Sequence, residues 1–155
     1  MSKFKASKNF NYPIEEVFRG FIKITKREFP KFNDKNPIGI KYSKVVKDNG
    51  SAKIKMIMEI TKFEKNNIYE ITSRIHNDVY ISRYIFEKIK EDETKVILEE
   101  EQHAKNFMAK VAVILQSFIG ISRTKRKINR MAAGVTEEIE LVRTRLEKNA
   151  KKERV

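Results

Sequence analysis

The stretch Thr124–Lys148, TKRKINRMAAGVTEEIELVRTRLEK, decides the fold of this chain. At about 100° per residue its apolar side chains fall within one arc of roughly 100°: Ile128, Met131, Ala132, Val135, Ile139, Val142 and Leu146. Arg126, Arg130 and Glu137 fall on the opposite side of the same helix. Because such a helix needs an apolar surface to lie on, the preceding residues should supply a sheet with one apolar face.

Between Ile40 and His103 the apolar side chains recur at every second residue, which is the period of a β-strand. Two rows follow this pattern: Ile54, Met56, Met58 and Ile60, then Tyr69, Ile71, Ser73 and Ile75. Polar turn sequences separate the strands: Asp48-Asn49-Gly50, Lys65-Asn66-Asn67, His76-Asn77-Asp78 and Glu91-Asp92-Glu93. This spacing predicts an antiparallel meander.

A strand and a helix precede the meander. Residues 3–10 alternate weakly and predict a first strand. Pro13 suits the first turn of a helix, Glu15 and Glu16 suit the positive end of the helix dipole, and Pro30 stops the helix. The fold class is therefore α+β, with a curved antiparallel sheet of about six strands wrapped around a long C-terminal helix.

Composition bounds the class of protein. The chain has 155 residues, 40% of them hydrophobic, which suits a single domain. We expect this domain to span residues 1–148 and to be followed by a charged tail, residues 149–155, that frays. The absence of cysteine excludes disulfides and Cys-based zinc sites, and the two histidines are far apart, so we predict neither metal nor cofactor.

The N-terminal residues lack a signal-peptide core and the apolar run 107–121 is shorter than the roughly 20 residues of a membrane span, so we expect a cytoplasmic protein.

The order of these elements resembles the START-like superfamily, also known as the SRPBCC or birch-pollen-allergen fold. Two local sequences carry the resemblance: Phe10–Phe18 (FNYPIEEVF), and Tyr84-Ile85-Phe86 through Thr94-Lys95-Val96. Within the superfamily the chain is most similar to a bacterial group known only as a domain of unknown function. The resemblance implies a helix-grip cavity that holds lipids, polyketides or other apolar molecules. It does not imply catalysis, since the relatives range from carriers to cyclases to chaperone partners.

The candidate ligand contacts follow from a cavity between the sheet and the C-terminal helix. We predict that they are Met56, Met58, Tyr69, Ser73, Tyr84, Phe86, Met131 and Val135. Tyrosine offers an apolar ring with a hydroxyl, and methionine is a deformable apolar wall. Residues 107–119 would serve as a lid. A packed core without a cavity uses the same residues, and the sequence leaves both alternatives open.

The segment 122–130 is the densest basic run in a chain of net charge +13. Its candidate polyanion contacts are Arg123, Lys125, Arg126, Lys127 and Arg130. This alternative function is an interaction module for nucleic acid, an anionic membrane or an acidic protein. Nucleic acid is the less favoured partner because no recognition motif is present, whereas a transient membrane contact fits the apolar run beside it. A solvated helix start, or a drift in composition toward Lys, Ile and Asn, explains the same charges without a partner.

One residue bears on catalysis. Alternation from Val96 and Leu98 directs Glu100 inward, where a buried carboxyl group could act as an acid or hold a polar ligand head. We favour the interpretation that the strand has reached solvent at Glu100. A cyclase-like enzyme would need an inward acid–base pair, which the sequence does not place, so we predict no catalytic residue. The favoured hypothesis is non-catalytic binding of a hydrophobic or amphipathic small molecule.

Overall fold

The computed structural model describes residues 2–48, 50, 53–103 and 120–154. These ranges contain six strands and two helices, in the order β1 (Ser2–Phe10), α1 (Ile14–Glu28), β2 (Lys41–Asp48), β3 (Lys53–Glu64), β4 (Ile68–Ile75), β5 (Asp78–Lys90), β6 (Glu93–His103) and α2 (Ile121–Glu153). The predicted lid, residues 107–119, lies outside the described residues.

The six strands form one antiparallel sheet in the order β1-β6-β5-β4-β3-β2. Strands β2 to β6 are neighbours in chain order, so the predicted meander is confirmed. Two of its turns use left-handed residues, Asn66 (φ 58°) and His76 (φ 53°), a conformation in which Asn and His are enriched. Strand β1 pairs with β6 at one edge, and α1 carries the chain to β2 at the other.

Helix α1 begins and ends as its sequence predicts. Glu15 and Glu16 occupy its first turn, directly after Pro13 and Ile14. At its end the N–H of Phe29 donates to the carbonyl of Thr25 at 2.7 Å, and the backbone of Phe29 is extended. Its buried face packs on the sheet. The Phe18 and Phe21 rings lie 5.0 and 5.2 Å from that of Phe86, in edge-to-face geometry. The helix is thereby fixed across the sheet.

Helix α2 buries the predicted face only as far as Ile139. Its buried apolar residues are Ile128, Met131, Ala132, Val135 and Ile139. The prediction is wrong for Leu146, which is 62% exposed, because beyond the half-buried Val142 the helix extends past the packed elements. Residues 149–153, expected to fray, continue the helix, since Lys, Ala and Glu favour it without tertiary contacts. Neither helix of the described chain is long and apolar enough to cross a membrane.

The two helices approach each other closely through glycine and are joined by ion pairs to one buried carboxylate. A Cβ atom on Gly20 would lie 3.3 Å from Val135, and one on Gly134 would lie 2.8 Å from the Ile24 side chain. Beside this contact the carboxylate of Glu138, 3% exposed, pairs with Lys23 at 3.3 Å and with Arg27. The contact fixes where α2 crosses the sheet.

The Glu138 pair predicts a specific pH dependence. Burial opposes ionisation, but the hydrogen bonds and charges of Arg27 and Lys23 outweigh it and lower the pKa of Glu138 below its ordinary value. A lowered pKa contributes stability that is present above the ordinary carboxyl pKa and is lost as pH falls through the folded-state value. We therefore expect Glu138→Gln to lower the melting temperature at pH 7. We also expect the melting temperature of this variant to decrease less than that of the wild type between pH 7 and about pH 4, as measured by circular dichroism.

Glu137→Gln, which removes the exposed neighbouring carboxylate, is the matched control and should leave the slope of melting temperature against pH unchanged. A Glu138→Gln variant with the acid sensitivity of the wild type would contradict this assignment.

Candidate functional site

A cavity of about 980 Å³ lies between the sheet and the two helices. It exists because α2 packs mainly on α1 and β1 and, within the described residues, does not pack closely against strands β2 to β5. Three of the lining residues, Ser73, Ser82 and Gly134, are too small to fill the space. Of the two alternatives that the sequence leaves open, the described residues form the cavity and not a filled core.

The walls of the cavity are largely apolar. Four strands contribute alternate residues from one face: Tyr42, Met56, Met58, Tyr69, Ile71, Tyr80 and Tyr84. Helix α1 contributes Phe21 and Ile24, the residue after it contributes the Phe29 ring, and α2 contributes Met131. Because successive strand residues point to opposite faces, the period of two in the sequence is what assembles this wall.

Four hydroxyl groups face this apolar space without a protein partner. Ser73 and Ser82 are each 4% exposed, and Tyr69 and Tyr84 lie beside them in the lining. Within the described part of the chain none of the four hydroxyls makes a hydrogen bond. Burial raises the pKa of both tyrosines and, at Tyr84, outweighs the opposing charge of Lys127, so their phenols stay protonated and can donate to a guest molecule.

The mouth of the cavity is basic. Six cationic side chains and one acidic side chain are among its described lining residues: Arg27, Lys44, Arg123, Arg126, Lys127 and Arg130, with Glu28. The sequence places Arg126 and Arg130 opposite the apolar face of α2, and both nevertheless line the cavity. Helix α1 and the sheet pack on α2 from more than one side, so long side chains on its flank reach the cavity. Lys125 alone among the predicted polyanion contacts is exposed and outside the lining.

A buried polar cluster ties the start of α2 to β6. The carboxylate of Glu100, 0% exposed, accepts hydrogen bonds from the Thr124 hydroxyl at 2.9 Å and the Lys127 ammonium at 2.7 Å. The Lys127 ammonium also contacts the Tyr80 hydroxyl and lies 4.7 Å from the centre of that ring. The interpretation that Glu100 reaches solvent is wrong, because the first turn of α2 covers it.

Six of the eight predicted ligand contacts line the cavity: Met56, Met58, Tyr69, Ser73, Tyr84 and Met131. Phe86 and Val135 do not. Phe86, 3% exposed, lies beneath α1, and Val135, 0% exposed, lies against Gly20, so both belong to the solid core. Sequence reasoning missed the α1 residues and also Ser82, which lies two residues before Tyr84 on the same face of β5 and could have been found by that spacing.

Comparison with known proteins places this geometry in a fold class. The family model described as Domain of unknown function (DUF3284) matches residues 4–120. No curated protein matches the sequence.

Several solved structures share the fold at low identity. The norcoclaurine synthase of Thalictrum flavum, a point mutant in complex with a transition-state analogue, has a TM-score of 0.58 and 9% identity, covering 92% of this chain and 96% of that one. The Zhui aromatase/cyclase from Streptomyces sp. R1128 has a TM-score of 0.56 and 8% sequence identity, and the match covers 91% of this chain and 95% of that one. The protein TTHA0849 from Thermus thermophilus has a TM-score of 0.53 and 14% sequence identity, and the match covers 91% of this chain and 99% of that one. The predicted helix-grip fold is confirmed, while the function of each neighbour remains a property of that neighbour.

Proposed function

The chain belongs to the family Domain of unknown function (DUF3284), and from the cavity of its helix-grip fold we propose that it binds a hydrophobic or amphipathic small molecule without catalysis. The observation that carries the proposal is the cavity itself, whose volume of about 980 Å³ lies at the upper end of the usual range for ligand pockets. Its mostly apolar wall suits an alkyl or polycyclic guest. The cytoplasmic location expected from the sequence belongs to this proposal and is tested by cell fractionation.

Burial of apolar surface supplies the affinity in this proposal. Removing about twelve methylene groups from water contributes roughly 10 kcal/mol. Association costs at least about 4 kcal/mol in lost translational and rotational freedom. The remainder of roughly 6 kcal/mol corresponds to a dissociation constant of tens of micromolar. The free hydroxyls of Ser73 and Ser82 would orient a polar substituent of the guest.

Native mass spectrometry of protein purified without detergent tests the proposal. We expect a co-purified ligand in the spectrum, or, for empty protein, a thermal shift with members of a panel of straight-chain acids and alcohols. A ligand at ten times its dissociation constant should raise the melting temperature by about 3–6 °C. Protein that carries no adduct and shifts with no member of the panel would contradict the proposal.

The alternative is an interaction module that uses the segment 122–130 on nucleic acid, an anionic membrane or an acidic protein. Its basic residues mostly line the cavity mouth, which favours the small-molecule proposal. Replacing Lys125, Arg126 and Arg130 with Glu tests the module, because these three side chains are exposed and the substitutions leave the Lys127–Glu100 pair in place. Salt-dependent binding of wild-type protein to duplex DNA or anionic vesicles that this triple variant abolishes would favour the module.

A further inference from the structure

The cavity has two chemically different ends. Its walls on the sheet and α1 are mostly apolar, whereas its mouth on α2 carries Arg123, Arg126 and Arg130. These three arginines are exposed and recur at intervals of three and four residues, so they lie along one side of the helix. The guanidinium groups of the three arginines therefore present several N–H donors at the cavity mouth.

Among the described residues, no acidic side chain pairs with these three arginines. Lys127 and Arg27, by contrast, are held by Glu100 and Glu138. Glu28 is the single acidic residue among the described residues that line the cavity. Residues 104–119, which connect β6 to α2, contain neither Asp nor Glu. The mouth therefore holds an excess of positive charge beside an apolar space.

We propose that the ligand is an anionic amphiphile, with its apolar part inside the cavity and its carboxylate or phosphate group at Arg123, Arg126 and Arg130. The inference rests on the proposed function and names the chemical class of its ligand. Guanidinium groups bind carboxylate and phosphate oxygens through paired N–H donors, which an alcohol or a hydrocarbon cannot match. The apolar part would lie against Met56 and Met58 on the sheet.

Three ligands of equal chain length test the proposal: dodecanoate, dodecyl phosphate and dodecanol, titrated calorimetrically at low ionic strength. We expect both anions to bind about tenfold more tightly than the alcohol, and this advantage to shrink in 1 M salt, where charges are screened within about 3 Å. Acetate and inorganic phosphate carry the head group alone. We expect no saturable binding of either, which distinguishes an amphiphile site from a free-anion site.

The variant Arg126→Gln/Arg130→Gln should weaken dodecanoate about tenfold and leave dodecanol unchanged. Arg145→Gln is the matched control, because Arg145 is exposed on the same helix and outside the cavity lining, and it should change neither. The alcohol titration also verifies that the variant is folded.

The other possible results contradict the anionic class of the ligand, the amphiphile site or the proposed function itself. If the alcohol binds wild-type protein as tightly as the anions, or the double variant keeps the affinity for dodecanoate, the anionic class is wrong and the cavity function stands. If acetate or phosphate binds as tightly as the long-chain anions, the arginines form a free-anion site. If none of the three long-chain ligands binds, the proposed function fails and the inference fails with it.

Discussion

Replacing Ser73 with phenylalanine is expected to abolish ligand binding while leaving the fold intact. Ser73 lies on β4, directly between its register partners Met58 on β3 and Tyr80 on β5, and all three side chains line the cavity. A phenyl ring at this position occupies the space that the guest needs, so the affinity for dodecanol should fall by at least about 100-fold. Because the ring enters an existing void, the melting temperature should change little.

Ser43→Phe is the matched control for this substitution. Ser43 is exposed on β2, and its neighbours Tyr42 and Lys44 line the cavity, so Ser43 points to the opposite face of the sheet. It should bind dodecanol with wild-type affinity. A folded Ser73→Phe protein that still binds the alcohol as the wild type does would show that the guest lies elsewhere.

The second large effect concerns stability and the Glu100 cluster. Glu100→Ala removes the carboxylate that is fully buried between Thr124 and Lys127, and leaves the partly buried ammonium without its partner. Breaking one side of a buried ion pair costs about 3–5 kcal/mol, and we expect the lower end because Lys127 can still reach water. Urea unfolding should therefore show a loss of about 3 kcal/mol.

A double variant distinguishes the ion pair from simple packing. Glu100→Leu/Lys127→Met replaces both charges with apolar groups of similar size, and it should recover most of the stability lost in Glu100→Ala. Stability equal to wild type in Glu100→Ala, or a double variant no more stable than that single variant, would contradict the role given to this pair. The cluster also matters for the cavity, because it fixes the part of α2 that carries the arginines.

Local signals predicted most of the fold. Pro13 and the acidic residues after it marked the start of α1, and polar turn sequences such as Asn66-Asn67 marked the hairpins, because each depends only on neighbouring residues. Leu146 shows where this reasoning stops. It has the helical spacing of a buried residue, but its burial depends on how far the sheet extends, which no local pattern records.

The site was harder to predict than the fold because it depends on where helices cross the sheet. Glu100 stands among three consecutive glutamates, a sequence typical of an exposed strand end, and a helix residue 24 positions later covers it. Phe86 and Tyr84 share one face of β5, but Phe86 lies under α1 and Tyr84 faces the cavity. The arginines of α2 were recognised as a charge cluster, but their place at the cavity mouth follows from three-dimensional packing alone.

The most direct test of the central claim uses the methionines. The chain has five, and three of them, Met56, Met58 and Met131, line the cavity from β3 and α2. Protein labelled with ¹³C in the methionine methyl groups, with resonances assigned through single Met→Leu variants, can be titrated with dodecanoate and compared with the Ser73→Phe variant. If a guest occupies the space between sheet and helix, the three methyl resonances of the wild type move together and saturate, and those of Ser73→Phe stay fixed. Saturable binding detected by calorimetry with all three resonances unmoved would contradict the account.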